Sequence, residues 1–480
     1  MRKGEAGSSS PLRPVCPAKP PARIYYRDIG DYLTREDKLR TIQDLGSILS
    51  DKMGLSSIEP NEVGDWINQR DGLFDTFIPL ECNEKFNSQS ASVFVVNSRG
   101  LETARDSWVY NSSRDHLLVA TKRMVEYYNS QVQSYLNRTN KAIKAKDFIN
   151  YDPTQISWST NLIESVQRGQ LVNFQHERIS IGMYRPFYKQ YVYRGEKFIN
   201  RRGQFDQFFP TPQSRNLVIC VSGVGARTFS AFITDTIPDL HILESGTQCF
   251  PRYWYEKNEH EMLSLFDQGE GEYSRREAIT DFILQRVRIQ YGPRTTKEDV
   301  FYYVYGLLHA REYRERFASD LQKSLPRLPL VEDTKAFKAF AAVGRKLAAL
   351  HLNYESVEPH PSVIIENDAA SPTVRQMRFG KANGAEDKSV IIYNDKIRII
   401  NIPLRAYDWQ VNGKSPIEWI MERYASTVNK DSQIRNDPND WCRGHGQPRY
   451  ILDLIGRIVN VSIQTLDLMA ALPPLSFKTS

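Results

Sequence analysis

One stretch constrains the chain more than any other: residues 184–255, YRPFYKQYVYRGEKFINRRGQFDQFFPTPQSRNLVICVSGVGARTFSAFITDTIPDLHILESGTQCFPRYWY. Its first part interleaves Tyr184, Phe187, Tyr188, Tyr191, Tyr193 and Phe198 with Arg185, Lys189, Arg194, Lys197, Arg201 and Arg202, and acids are nearly absent. Its second part turns apolar and strand-like: LVICV, then SGVGAR, then SAFIT. A basic, aromatic surface segment that feeds a buried sheet is a plausible nucleic-acid face, in which cations neutralise phosphates and planar groups stack or fill grooves. The same pattern also describes an amphipathic hairpin with Tyr and Phe in the core and Arg and Lys in water. The residues alone leave both readings open.

Any such basic face must be local, because 63 Lys and Arg stand against 57 Asp and Glu, a net charge of only +6. A hydrophobic content of 40% is ordinary for a globular chain, and 480 residues correspond to roughly three units of domain size. No apolar run approaches the roughly 18–20 residues of a membrane span. The opening residues, MRKGEAGSSSPLRPVCPAKPPAR, lack the apolar core of a secretory signal. Cys16, Cys82, Cys220, Cys249 and Cys442 form no CxxC pair and read as reduced thiols in a cytoplasm.

Along the chain, residues 1–22 are rich in Pro, Ser and Gly and read as a disordered leader. IYYRDI reads as a short strand, and Thr34 with Asp37 marks a helix start. Trp66, Ile67, Phe74, Phe77 and Ile78 form an apolar set around a polar turn. Residues 94–96 read as a strand and residues 114–135 as a helix. The residues after Tyr255, KNEHEMLSLFDQGEGEYSRRE, read as a polar surface loop. Helices are expected over residues 278–291, from Thr296 until Pro326 and Pro329 intervene, from Thr334 onward, and over residues 415–423 and 451–470. Between them VRQMRF, SVIIYN and IRIINI alternate as in an antiparallel meander.

Familiar catalytic patterns are missing. Gly413-Lys414-Ser415 ends like a phosphate loop, but the required first glycine is Asp408, so a structural turn is expected. Ser222-Gly223-Val224-Gly225 follows an apolar strand as a nucleotide-binding turn would, with Glu244 near the place of a ribose-binding acid, but the third glycine is lacking. No histidine or cysteine set has zinc spacing, and there is no HExxH or GxSxG.

The whole pattern resembles the C-terminal portion of Type ISP restriction–modification enzymes. The segments that carry the resemblance are IYYRDIGDYLTREDKL (24–39), GDWINQRDGLFDTFIPL (64–80), SRGLETARDSWVYN (98–111), MYRPFYKQYVY (183–193), GVGARTFSAFITDTIPDLH (223–241), QCFPRYWYE (248–256), TKEDVFYYVYGLLHAREYRERF (296–317), DPNDW (437–441) and GQPRYILDLIGRIVNVSIQT (446–465). They run in the family's order and cover nearly everything after residue 23. Enzymes of this family are large single polypeptides that join nuclease, helicase-like ATPase, coupler, adenine methyltransferase and target-recognition modules. The resemblance implies that this chain begins where the catalytic modules end. The NPPY-type methyltransferase motif and FxGxG are absent, and NDPND (436–440) lacks the aromatic that stacks a flipped base. The first 22 residues do not resemble the family.

The resemblance implies sequence-specific recognition of double-stranded DNA, directing adenine methylation and restriction performed by other modules. S-adenosylmethionine, ATP and magnesium would belong to those modules, with no cofactor, metal site or catalytic residue in this chain. A separately encoded methyltransferase/helicase polypeptide remains an open partner, and a cytoplasmic location follows. The expected fold is mixed α+β: residues 1–22 a leader, 23–150 an αβ segment, 151–265 a basic, aromatic αβ recognition unit, and 266–480 a helical support with a small β-meander. Arg, Asn and Gln make bidentate contacts to guanine or adenine, so the candidate DNA contacts are Arg185, Lys189, Arg194, Asn200, Arg201, Arg202, Gln204 and Arg227, with Arg99 and Arg105 on an earlier loop. Tyr184, Phe187 and Tyr191 could stack on bases or pack in the core. Two other readings stand beside this one: an enzyme binding S-adenosylmethionine at Gly223–Gly225, and a non-catalytic fragment that only docks on a partner.

Overall fold

The computed structural model of the chain describes residues 22–30, 33–82, 84–258 and 272–477. The expected leader, apart from its last residue, and most of the polar loop expected after Tyr255 lie outside them. The two ends of that expected loop are instead strands. Tyr253–Lys257 pairs antiparallel with Tyr273–Glu277.

The chain packs as two units, residues 1–70 and 71–480. In the first, strand Ile24–Tyr26 pairs antiparallel with Ser56–Ile58. Helix Arg35–Leu45 begins where expected, because the Thr34 hydroxyl accepts the Asp37 amide at 3.1 Å. Trp66 and Ile67 are exposed, whereas Phe74, Phe77 and Ile78 are buried in the second unit. The apolar set expected around that turn is therefore divided between the two units.

The second unit is mixed α/β, as expected, and three four-stranded sheets organise it. One has the order Ile237–Pro238, Ile179–Arg185, Tyr188–Tyr193, Tyr110–Asn111. Another has the order Ser98–Arg99, Gln248–Pro251, Val218–Val221, Ala231–Thr234. All four residues of Val218–Val221 and of Ala231–Thr234 are buried, which explains the continuous apolar runs there. The third sheet is the expected meander: Ile364–Glu366, Arg398–Ile400, Ala385–Ile392 and Arg378–Ala382. Residues 94–96 are buried but do not form a named strand, and Phe94 makes a single bridge to Ile279.

The boundaries expected near residues 150 and 265 are not breaks in this unit. Asn111 pairs with Tyr191, Arg99 with Gln248, and Ile78 with Leu328. The first two of these sheets, and the pair Ile78–Leu328, draw strands from distant parts of the chain, so the segments on either side of those boundaries cannot close separate cores.

Helices Lys297–His309 and Thr334–Leu352 cross at Gly306 and Gly344. A Cβ on Gly344 would run into the Tyr302 carbonyl oxygen, and one on Gly306 into that of Phe340. Glycine at both positions is what lets the two backbones approach. The first of these helices opens with a capping box between Thr296 and Asp299. The second is capped by Asp333, one residue before the expected start. The single helix expected from Thr296 is three: Lys297–His309, Arg311–Arg316 and Ala318–Lys323. Ala310 is extended (φ −66°, ψ 123°), and the break lets Tyr313 and Phe317 pack with Phe74 and Phe77. The lysine of the Gly413-Lys414-Ser415 turn pairs with Glu422, and Ser415 caps helix Pro416–Arg423, so this turn is structural.

Two histidines lie in the helical core. His351 bonds Tyr305 Oη (2.7 Å) and Thr465 Oγ1 (2.9 Å) and stacks on Trp409, while His309 Nδ1 lies 2.9 Å from the Tyr305 carbonyl. Burial pushes His309 down to about 4 and His351 well below the usual imidazole value. The folded chain keeps both rings neutral while the unfolded chain protonates them near pH ~6.5. The stability they leave intact above that pH is therefore lost progressively as pH falls towards 4. Thermal melts across this window should show a smaller acid loss for His309→Leu than for the natural chain, and parallel profiles would contradict this account.

A second buried group ties the hairpin of Ile179–Arg185 and Tyr188–Tyr193 to the sheet edge. The Arg185 guanidinium lies 2.7 Å from Asp239 and 3.8 Å from Asp106, and 3.9 Å from the Tyr184 ring centroid. Burial works against its charge, but Asp239, Tyr184 and Asp106 outweigh it and its pKa is raised. Burial also pushes Asp239 up to about 7 against the pull of Arg185. Arg185→Gln should cost about 3 kcal/mol, the low end for a broken buried pair, because Asp239 can take up a proton instead. The deficit in denaturant unfolding should be larger at pH 8 than at pH 6. Arg202→Gln, which removes an i,i+4 surface pair, should cost less than about 0.5 kcal/mol.

Candidate nucleic-acid interface

The ten sequence-selected residues do not form one face. Arg105 is buried and donates to the carbonyls of Ser157 (3.0 Å), Thr103 (3.0 Å) and Phe198 (2.5 Å) and to Ser159 Oγ (2.8 Å). Desolvation lowers its pKa to about 10. Arg194 is buried too, donates to the Phe209 carbonyl at 3.1 Å, and is lowered to about 10 by the same cause. Lys189 is largely buried against Glu355 at 2.6 Å, and Arg185 is held as described above. These four side chains are turned into the fold, which corrects the surface placement expected for each. Arg105, Arg185 and Lys189 are held by partners within the chain, whereas the buried Arg194 Nε has no hydrogen-bond partner among the described residues.

The aromatic residues of the stretch follow the same rule. Phe187 is fully buried among Phe232, Tyr354 and Trp409. Its φ of 59°, unusual for a non-glycine residue, is sustained by that packing. Tyr184 donates to Asp106 at 3.1 Å, and Tyr191 lies against Trp441 and His445.

Three of the candidates come together in one cleft. Arg99, Arg201 and Gln204 line a cavity of about 730 Å³ with Lys85, Asn97 and Gln248. Strand Ser98–Arg99 pairs with Gln248–Pro251 so that Arg99 lies directly across from Gln248. Side chains at paired positions share one face of a sheet. Glu102 and Arg201 exchange backbone hydrogen bonds of 3.2 and 3.0 Å, which brings the 200–204 turn alongside this strand. Ser98 Oγ then accepts the Gln204 amide at 3.0 Å, and Gly203 adopts φ 59° against that hydroxyl. A Cβ on Gly203 would collide with Ser98 Oγ, so the turn needs glycine there.

The cleft has mixed polarity. Arg99 is exposed and, among the described residues, makes no ion pair or side-chain hydrogen bond. Arg201 is exposed 3.6 Å from Glu102, and Asn200 donates to the same carboxylate at 2.6 Å. Glu81 and Glu102 supply acceptors at the rim. Guanidinium, amide and carboxylate groups together match the donor and acceptor edges of base pairs in a major groove better than a purely basic surface would. Gln248 was not among the sequence candidates. Its signal was the Ser245-Gly246-Thr247 turn just before an apolar strand, which places a polar side chain at a sheet end.

Arg202 and Arg227 sit apart from this cleft. Arg202 pairs with Asp206 at 2.8 Å. Arg227 is 90% exposed and pairs with Glu244 at 2.7 Å, so the acid considered for a ribose is bound to a neighbouring arginine. The 222–225 turn is closed as well. The Gly223 amide donates to the Glu244 carbonyl (2.9 Å), the Gly225 amide to the Gln322 carbonyl (2.7 Å), and a Cβ on Gly223 would strike the Ser245 carbonyl. These amides are committed within the chain, and the turn does not fit the pyrophosphate or carboxylate of a cofactor. Among the described residues, no three His, Cys, Asp or Glu side chains gather to hold a metal ion, and no helix is long and apolar enough to cross a membrane.

Among solved structures, the chain is similar to a nuclease-deletion mutant of the Type ISP restriction-modification enzyme LlaGI in complex with a DNA substrate mimic, at TM-score 0.81 and 35% identity over 95% of this chain and 39% of that one. It is similar to the ATP-dependent Type ISP restriction-modification enzyme LlaBIII bound to DNA, at TM-score 0.80 and 34% identity over 95% of this chain and 28% of that one. A DrdV–DNA complex matches at TM-score 0.75 and 25% identity, over 95% of this chain and 44% of the other. The chain thus spans less than half the length of each of these proteins. No curated protein matches. Residues 92–454 match the family model of the Type ISP C-terminal specificity domain, and the chain belongs to that family.

Proposed function

We propose that the chain recognises a specific sequence in double-stranded DNA and directs adenine methylation and restriction carried out by other modules of a Type ISP system. The observation that carries this reading is the cleft in which Arg99, directly across from Gln248, meets Arg201 and Gln204. The DNA complexes among its structural neighbours support it. In this reading Arg99 and Arg201 approach guanine, Gln204 and Gln248 approach adenine, and Glu102 accepts from cytosine. The buried arginines contribute by holding these side chains in place. S-adenosylmethionine, ATP and magnesium would act in modules outside this chain, either in one polypeptide with it or in a separate methyltransferase/helicase partner.

Selection of random-sequence duplexes by the purified chain tests the proposal. An asymmetric motif should emerge, bound well above scrambled DNA at moderate salt. Arg99→Ala and Gln204→Ala should each cost about 1–3 kcal/mol on that motif and relax the preference at one position. Weak, salt-sensitive binding without any sequence preference would refute autonomous recognition.

A further inference from the structure

The terminal meander presents a second cationic surface that the sequence did not single out. Pairing sets Arg378 beside Ile392, Ile392 beside Arg398 and Arg398 beside Glu366 across four strands, with no ion pair between the last two. The next row, Phe379, Ile391 and Ile399, turns the other way, and Ile391 and Ile399 are buried in the core. Side chains alternate between faces along a strand, so Arg378 and Arg398 stand on the outer face, and both are exposed. Beside them, Arg375, Arg378 and Lys396 line a cleft of about 540 Å³ with Thr373, Gln376 and Asn394. Asp395 is its sole carboxylate. The Asn394 side chain accepts the Lys396 and Ile397 amides (2.9 and 2.8 Å) and donates to the Ser371 and Thr373 carbonyls (3.0 Å each), which fixes the turn that carries Lys396.

The cations of this surface differ from their neighbours. Lys388 pairs with Glu418 (2.9 Å), Arg405 with Asp467 (2.6 Å) and Arg449 with Asp368 (2.7 Å). Arg375, Arg378, Lys396 and Arg398 make no ion pair among the described residues. Charges on an edge strand can guard it against pairing with other chains. That role accounts for Arg378, on the edge strand Arg378–Ala382, but not for Arg398 on an inner strand, nor for Arg375 and Lys396 outside any strand.

We propose that Arg375, Arg378, Lys396 and Arg398 form a second DNA contact, which grips backbone phosphates and reads no bases. The proposal rests on the duplex-recognition reading above. Its chemistry differs from that of the first cleft: an excess of unpaired cations suits phosphodiesters, whereas mixed amides, guanidinium groups and carboxylates suit base edges. The contact would add affinity and fix register on the duplex, and leave sequence preference to the first cleft.

The test compares the natural chain with Arg375→Gln/Arg378→Gln/Lys396→Gln by fluorescence anisotropy, on the selected duplex and on a scrambled one, across a salt series. An unchanged melting temperature confirms folding, and Lys396→Gln alone serves if the triple variant misfolds. The triple variant should lose roughly tenfold or more on both duplexes alike, with the salt slope shallower by about 2–3, or by about 1 for the single change. If the natural chain binds duplex DNA and the variant matches it in affinity and slope, this inference fails while the recognition reading stands. A loss confined to the selected duplex also overturns it, since these residues would then be readers. If the natural chain binds no duplex at all, both readings fall.

Discussion

Guanidinium groups taken out of water find partners within the chain, and these contacts join distant parts of the second unit. Arg105 donates to three carbonyls and a hydroxyl drawn from residues 103, 157, 159 and 198. Arg185 joins the end of one sheet strand to Asp239 and Asp106. Each such group ties together segments far apart in sequence, at a desolvation cost that only well-placed partners offset. What these ties leave outside includes Arg99, Arg201, Gln204 and Gln248, which line one cleft.

That division also explains which parts were legible in the chain. Helix starts at Thr34 and Thr296 were readable because a capping hydroxyl and its target amide lie three residues apart. The meander was readable because alternation is local. The burial of Arg105 and Arg194 was not, since it depends on carbonyls supplied by distant segments or, for Arg194, by Phe209 at the end of helix Phe205–Phe208. The break at Ala310 was hidden for a similar reason. No proline or glycine marks it, and it forms because Tyr313 and Phe317 reach an aromatic cluster that includes Phe74 and Phe77. The domain boundaries drawn near 150 and 265 failed because strand pairing crosses them.

The candidate surface was legible only in part. Composition pointed to residues 184–204, and three of the cleft's residues, Arg201, Gly203 and Gln204, lie there. The first half of that stretch instead supplies packing: Phe187, Tyr188 and Tyr193 are buried. Gln248 was marked only by the turn before its strand, and nothing local marks the meander cations, since an arginine on a polar sheet face looks like any solvated charge. Family resemblance identified the module from its ordered segments, a signal independent of which side chains face outward.

In the proposed reading two surfaces with different chemistry divide the work of recognition, one mixed and suited to base edges, the other cationic and suited to phosphates. The most direct test of the central claim is hydrogen exchange on the chain with and without its selected duplex. DNA should slow exchange at residues 98–101, 201–204 and 246–248, where the cleft's backbone and readers lie. Protection confined to other clefts, such as the one lined by Tyr188, Arg423 and Asn436, with these three segments unchanged, would contradict the account.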